Sequence, residues 1–252
     1  MKWTRCQVAD MCRKLLSGVN IVATAMMCAP AVSVESVPDF ILACREDNDL
    51  YRVLNANRVN CVRYGTAKQA VEAASEKTGV LILADEYPGK ATAVEDSVYS
   101  EAARKNLRLY VEFPGTLPGM KVGPVFTQDQ YLRGVITSDF FGPALPSMRI
   151  LAINGLTLCR VSTEKVHMAA AVVAGFDTAV FGLPSNSVPL LFECPTGNVL
   201  VATTKLSHFV TGRYVPAQDW RTVWLGVLSW LQPRQACRRL KRPVPSNEGT
   251  QE

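Results

Sequence analysis

Polar side chains follow several predicted strands, at the points where those strands end. Ligands of open α/β sheets bind outside the carboxyl ends of the strands. Carboxylates, amides, arginine and aromatic rings are the groups that hydrogen-bond to sugars and stack on them. The residues of this kind form the predicted substrate-binding set: Arg45, Asp47, Asp85, Glu86, Tyr87, Glu112, Asn154, His208 and Arg213.

Three members of this set are candidates for catalysis. Asp85 and Glu112 follow the third and fourth strands, so their carboxylates could lie on neighbouring strand ends and act as acid and base in glycoside cleavage. His208 is one of only two histidines in the chain. The alternatives are a solvated loop for Asp85 and Glu86, and packing for His208.

Other polar residues have structural interpretations of comparable weight. Asp47 and Asp49 precede a predicted helix, where carboxylates satisfy free backbone amides as N-cap and first-turn residues. Arg213 could pair with a carboxylate of the site or with a helix end. His167 lies in a strand-like run, which favours a structural role.

The elements that must position these residues alternate along the first half. Apolar runs at 39–44, 59–64, 79–84 and 107–111 predict buried strands. Helical spacing at 49–57, 67–77 and 95–106 separates them. Strands alternating with helical segments of about ten residues indicate parallel βαβ units. Continuously apolar strands indicate a sheet covered on both faces.

The second half contains short strand candidates separated by turn residues. They are 135–136, 149–153, 158–161, 168–173, 178–181, 190–193 and 199–202. The segment 195–198, Pro-Thr-Gly-Asn, predicts a hairpin turn. The last predicted helix, 219–231, has an apolar face that predicts core packing: Trp220, Val223, Trp224, Val227, Leu228 and Leu231.

Charge and hydropathy divide the chain of 252 residues into three parts. Residues 1–33 have basic residues before an apolar stretch and small residues at 31–33, which predicts a signal peptide that begins at Met1 or Met11. A buried N-terminal helix is the alternative, and the apolar run is too short and interrupted to favour a permanent membrane span. Residues 34–231 are the predicted domain, and 232–252 are a predicted disordered tail or linker.

The net charge of +5 arises from the two ends, because 1–33 and 232–252 each have a surplus of +3 and residues 34–231 have a net charge of −1. A nucleic-acid-binding domain would place its positive charge on the folded face, so no nucleic-acid partner is expected. The eight cysteines include no CxxC pair and no cluster with histidine. We therefore expect no zinc site and no disulfide scaffold. No cofactor is expected either.

The C-terminal segment Gly197–Phe209, followed by a helix with Trp230 near its end, resembles the ThuA-like branch of the class I glutamine-amidotransferase-like superfamily. The resemblance covers residues 39–231. It implies a three-layer, flavodoxin-like α/β fold with a parallel central sheet and an antiparallel extension in the second half.

The resemblance also implies a sharp strand-to-helix bend after the fourth strand, where amidotransferases have a cysteine nucleophile. The matching stretch here is Tyr110–Thr116, which has Phe113 and Pro114 where the cysteine should be. A thiolate also needs a base to activate it, and His208 is not followed by the glutamate of a His-x-Glu pair. We therefore expect no amidotransferase activity.

Segments 39–51, 81–89, 107–119 and 202–214 resemble the amidotransferase-like module that precedes six-hairpin glycosidase-like domains in exported bacterial proteins. The resemblance implies a secreted or periplasmic accessory domain that binds or positions carbohydrate in glycan degradation, with such a glycosidase domain as a candidate partner. Two alternatives remain: a glycoside hydrolase that uses the strand-end carboxylates, and a structural module that packs against a catalytic domain.

Overall fold

The computed structural model of the protein describes residues 38–128, 131–153, 155–211 and 217–232. The predicted signal peptide and nearly all of the predicted tail lie outside these ranges. Asn154 and Arg213, two members of the predicted binding set, also lie outside them.

The first half alternates strands and helices as the sequence predicts. Its elements are β1 (Phe40–Ala43), α1 (Asp49–Ala56), β2 (Cys61–Tyr64), α2 (Ala67–Ala73), β3 (Gly79–Ile82), α3 (Asp96–Arg104) and β4 (Arg108–Glu112). The predicted helix 67–77 ends early, since Ala74 is already extended and Lys77 has a positive φ of 63°.

The second half is mostly β structure and ends in one long helix. Its elements are β5 (Val125–Gln128), β6 (Arg133–Ile136), β7 (Ile150–Ala152), β8 (Leu156–Cys159), β9 (Val166–Ala171), β10 (Val188–Glu193), β11 (Val199–Ala202) and α4 (Ala217–Leu231). Two 3-10 turns, Asp139–Phe141 and Leu206–Val210, follow β6 and β11.

The central sheet has the order β2-β1-β3-β4-β11-β10-β9-β6-β7. The first five strands of this order are parallel. Their arrangement matches the flavodoxin-like order 2-1-3-4-5, with β11 in the fifth position. The remaining four strands are antiparallel. The predicted fold class, a parallel sheet with an antiparallel extension, is therefore confirmed.

In the second half, one strand prediction is wrong and one strand was not predicted. Residues 178–181 do not form a strand: Thr178 makes one isolated bridge to Arg149, and Val180 and Phe181 are exposed. Their apolar, β-branched character favours a strand by local preference, but no neighbouring strand pairs with them there. Conversely, β5 was not predicted; it pairs with β8 in a separate two-stranded sheet.

Alternation along the parallel strands produces two cores, one on each face of the sheet. On one face, Phe40, Leu42 and Leu81 pack with the apolar side of α1 and with α4. On the other face, Ile41, Val80 and the residues of α2 and α3 form a separate cluster. Side chains on a strand point alternately to opposite faces, so a sheet with two covered faces needs continuously apolar strands.

The predicted apolar face of α4 lies in the first core, where all six of its residues are buried: Trp220, Val223, Trp224, Val227, Leu228 and Leu231. The helix approaches the turn Asp139–Phe141 closely at Gly226, where an added Cβ would lie 2.7 Å from Cδ1 of Phe141. Among the described residues, none of the helices is both long enough and apolar enough to cross a membrane.

Candidate functional site

The carboxyl ends of four parallel strands meet at one edge of the sheet. Ala43 of β1 pairs with Ile82 of β3, Ile82 with Val111 of β4, and Glu112 with Ala202 of β11. This register brings together the four segments that follow these strands: 44–49, 83–87, 112–113 and 203–208. We call this region the strand-end site.

Glu112 forms the buried base of the strand-end site. Its side chain is fully buried. Oε1 accepts hydrogen bonds from the Ser207 amide at 2.7 Å and the Tyr110 hydroxyl at 3.0 Å. Oε2 accepts from the Ser207 hydroxyl at 2.9 Å and the Ala84 amide at 3.2 Å. The carboxylate thus joins the ends of β3 and β4 to the turn after β11.

Burial raises the pKa of the Glu112 carboxyl, and the amide of Ala84, the charge of Lys205 and the two groups of Ser207 oppose that shift. Four donors use the four acceptor positions of the two oxygens. The carboxylate is thus satisfied from within the protein, and its position suits a structural role.

At the bend after β4, the aromatic residue Phe113 has a backbone conformation that is rare for bulky residues. Phe113 has φ of 46° and is fully buried. A bulky residue at positive φ is an outlier that persists only where its surroundings fix it. Here its amide donates to Ala202 at 2.7 Å, and its carbonyl accepts from Thr92 at 2.8 Å.

The structure therefore has a sharp bend directly after β4, and the phenyl ring of Phe113 lies at that bend. The expected helix after the bend is absent from the described residues: Pro114 bridges to Thr92, and the next element is β5. That part of the expectation is wrong, because the proline and the loop that follows lead the chain to the second sheet instead.

Tyr87 connects the strand-end site to the antiparallel half. Its hydroxyl accepts from the Thr157 amide of β8 at 2.8 Å and from the Thr204 hydroxyl at 3.1 Å. Its ring contacts Phe113 edge-on at 5.1 Å and His208 edge-on at 5.6 Å. Tyr87 and His208 are both half-buried, so two of these three contacting rings are partly accessible to solvent.

Asp85 is the titratable group that lies at the opening of the site. It is half-buried. Burial raises its pKa, while the Arg45 amide, Lys205 and the Arg45 guanidinium oppose the shift, and Asp47 adds to it. The sequence interpretation identified Asp85 correctly as a strand-end carboxylate, but it left Lys205 out of the binding set, although Lys205 follows β11.

The remaining predicted residues lie further out. Arg45 and Asp47 are exposed and form an ion pair with 3.4 Å between Nε and Oδ1. Glu86 is exposed and pairs with Lys90 at 3.1 Å. The N-cap of α1 is Asn48, whose side chain accepts from the amides of residues 50 and 51, so the capping alternative for Asp47 is wrong.

The described cysteines are in environments that disfavour thiolates. Burial raises the pKa of Cys44, Cys159 and Cys194 to about 12, and that of Cys61 to about 11. Cys44 follows β1 beside the strand-end site, where the charges of Asp85 and Glu112 add to the shift. In the described ranges, no group of three or more His, Cys, Asp or Glu side chains could hold a metal ion.

Comparisons with known proteins found similar solved structures but no matching family model or curated protein. Among solved structures, the chain is similar to PurLQS from Thermotoga maritima, with 13% identity, a TM-score of 0.49, and coverage of 77% of this chain and 99% of the other.

Two further solved structures are similar over most of the chain. A ThuA-like protein from Bacteroides uniformis has 8% identity, a TM-score of 0.48, and coverage of 81% of this chain and 95% of the other. A GMP synthase subunit from Thermoplasma acidophilum has 10% identity, a TM-score of 0.47, and coverage of 77% of this chain and 94% of the other. The class of this protein, a three-layer α/β domain with flavodoxin-like strand order, rests on its own strand connections.

Proposed function

We propose that this protein is an amidotransferase-like accessory domain, of the ThuA-like kind, that binds or positions carbohydrate at the strand-end site without thiol chemistry. The observation that supports this most is the grouping of Asp85, Lys205, Tyr87 and His208 at the carboxyl edge of the sheet. These are half-buried polar and aromatic groups at the position where open α/β sheets bind ligands.

The chemistry of these side chains suits a neutral polyol. A sugar hydroxyl both donates and accepts, so it can bridge a carboxylate such as Asp85 and a cation such as Lys205. The Tyr87 and His208 rings offer apolar faces or edges to the C–H groups of a sugar ring. Phe113 lies at the bend where the resemblance to amidotransferases implies a cysteine nucleophile, and this favours the proposal of binding over acyl transfer.

The geometry does not favour the hydrolase alternative. Cleavage with two carboxyl groups needs both of them to reach the substrate. Glu112 is fully buried, and both of its oxygens are used by donors from the protein. Asp85 would have to act without it.

The packing-module alternative is favoured by one specific observation. The loop between β9 and β10 exposes Phe176 by 99%, Phe181 by 89% and Val180 by 70%. Exposed apolar clusters often mark protein contacts. If packing is the main role, changing Phe176 and Phe181 to serine would abolish binding to a six-hairpin glycosidase domain in a co-purification assay and leave folding intact.

Export to the periplasm or the medium is part of the proposal and rests on the basic and apolar pattern of residues 1–33. Mass spectrometry of secreted protein should find a mature start near Val34. A secreted chain that retains Met1 or Met11 would contradict it.

Titration calorimetry against plant and microbial oligosaccharides tests the carbohydrate proposal. We expect Asp85→Asn to weaken binding of a responsive glycan by about tenfold, the loss of about 1.4 kcal/mol from one charged hydrogen bond. Glu72→Gln is the matched control, since Glu72 is exposed on α2 and lies outside the strand-end site. Absence of binding by every glycan, or equal affinity of wild type and Asp85→Asn, would refute the proposal.

A further inference from the structure

A serine, a histidine and a glutamate lie in line on the antiparallel half of the sheet, away from the strand-end site. The Ser138 hydroxyl is 2.8 Å from Nδ1 of His167, and Nε2 of His167 is 3.1 Å from Oε1 of Glu193. His167 is in β9, Glu193 ends β10, and Ser138 follows β6. These three strands are neighbours in the sheet.

The hydrogen bonds fix the position of each proton in this line. A carboxylate oxygen only accepts, so Nε2 of a neutral His167 carries the ring proton and donates to Glu193. Nδ1 is then the acceptor, and the Ser138 hydroxyl, which accepts from the Phe140 amide at 3.3 Å, donates to it. Burial lowers the pKa of His167, its bond to Glu193 opposes that shift, and Lys165 adds to it. The ring is therefore a neutral base at neutral pH.

We propose that Ser138 is a nucleophile, that His167 is its general base, and that Glu193 is a positioning residue, forming a site that hydrolyses short-chain acyl esters. A hydroxyl within hydrogen-bond distance of a base, which is itself oriented by a third group, defines an activated nucleophile. The order of the ring nitrogens is reversed relative to the common triad, and the roles are the same.

Phe140 connects this line to a groove that none of Ser138, His167 and Glu193 lines. The groove has a volume of about 490 Å³ and lies between the turn Asp139–Phe141 and α4. Phe140 lines it and also stacks on His167 at 4.2 Å. Leu225 and Trp230 line the facing side. Apolar walls suit the acyl chain of an ester, and Ser138, His167 and Glu193 are each only partly buried.

The reaction balances with ester and water alone. The Ser138 oxygen bonds to the carbonyl carbon as its proton passes to Nδ1 of His167, which gives a tetrahedral intermediate. The ester C–O bond breaks, and the leaving alcohol takes the proton from Nδ1. Water then attacks the acyl group, gives a proton to Nδ1, and releases the carboxylic acid and the Ser138 hydroxyl.

A fluorophosphonate reagent and 4-nitrophenyl butyrate test this proposal on the full chain. Peptide mapping should place the adduct on Ser138. Ser138→Asn should lower both labelling and hydrolysis by about 100-fold or more, although asparagine still caps the turn. His167→Gln should lower them similarly. Ser100→Ala is the control, because Ser100 is exposed on α3 and bonds only to the Asp96 carbonyl.

The role of Glu193 needs a readout that loss of packing would not give. Glu193→Gln should move the pH at half-maximal rate downward, because a negative neighbour no longer favours the protonated imidazole. Glu193→Asp should restore part of that shift. An adduct at another serine, no adduct on wild type, or unchanged rates in folded Ser138→Asn would each overturn the proposal. The labelling and hydrolysis assays do not depend on carbohydrate binding at the strand-end site, so the two proposals can fail independently.

Discussion

Glu112→Ala should destabilise the protein strongly. Truncation removes four hydrogen bonds and leaves the amides of Ala84 and Ser207 without their acceptor in a buried site. Each buried donor that loses its partner costs about 1–3 kcal/mol. Removing a buried charge offsets part of this cost. We therefore expect a net loss of about 3–5 kcal/mol in the free energy of unfolding.

Urea denaturation followed by tryptophan fluorescence measures this loss. Glu86→Ala is the control: it also removes a strand-end carboxylate, but one that is exposed and in a surface ion pair, so its expected cost is within about 0.5 kcal/mol of zero. A cost of Glu112→Ala within about 1 kcal/mol of this control would refute the expectation, because Glu112 would then not be the group that joins the strand ends.

Histidine protonation, thiol reactivity and helix packing give three further predictions. Wild type should lose stability as pH falls below about 6.5, the usual pKa of histidine. The pKa of His167 is lowered in the folded protein, so the unfolded chain binds a proton at this position before the folded protein does. In thermal unfolding, His167→Gln should therefore show a shallower loss of stability with falling pH than His208→Gln. Burial raises the pKa of the thiols of Cys44, Cys159 and Cys194 to about 12. At a pH of about 8, iodoacetamide should therefore modify these three cysteines in the folded protein far more slowly than a free cysteine peptide. Rapid modification in the folded protein would contradict this. Gly226→Ala should cost about 1–3 kcal/mol in urea denaturation, because its Cβ would lie 2.7 Å from the Phe141 ring, and an unchanged midpoint would show that this contact can relax.

The sequence predicted the parallel half well because each of its elements has a local cause. Continuous apolar runs indicated β1 and β3, and the helical spacing of Leu50, Val53 and Leu54 indicated α1. The carboxyl edge then followed from the parallel connections alone. The same logic failed at residues 178–181, where pairing depends on which distant strand is available.

The internal environment of the site could not be read from the sequence. Glu112 looks like a free strand-end carboxylate until Ser207, 95 residues later, is brought against it. The line formed by Ser138, His167 and Glu193 depends on the order β6-β9-β10. No spacing along the chain indicates that order, so His167 looked like an ordinary strand residue.

The central claim, that carbohydrate binds at the strand-end site, is tested most directly by the two histidines. The untagged protein has only His167 and His208, so its Cε1–H NMR signals can be assigned from His167→Gln. A glycan that binds as proposed should shift the His208 signal in a saturable way and leave the His167 signal in place. Movement of His167 alone, or of neither signal across the full glycan panel, would contradict the account.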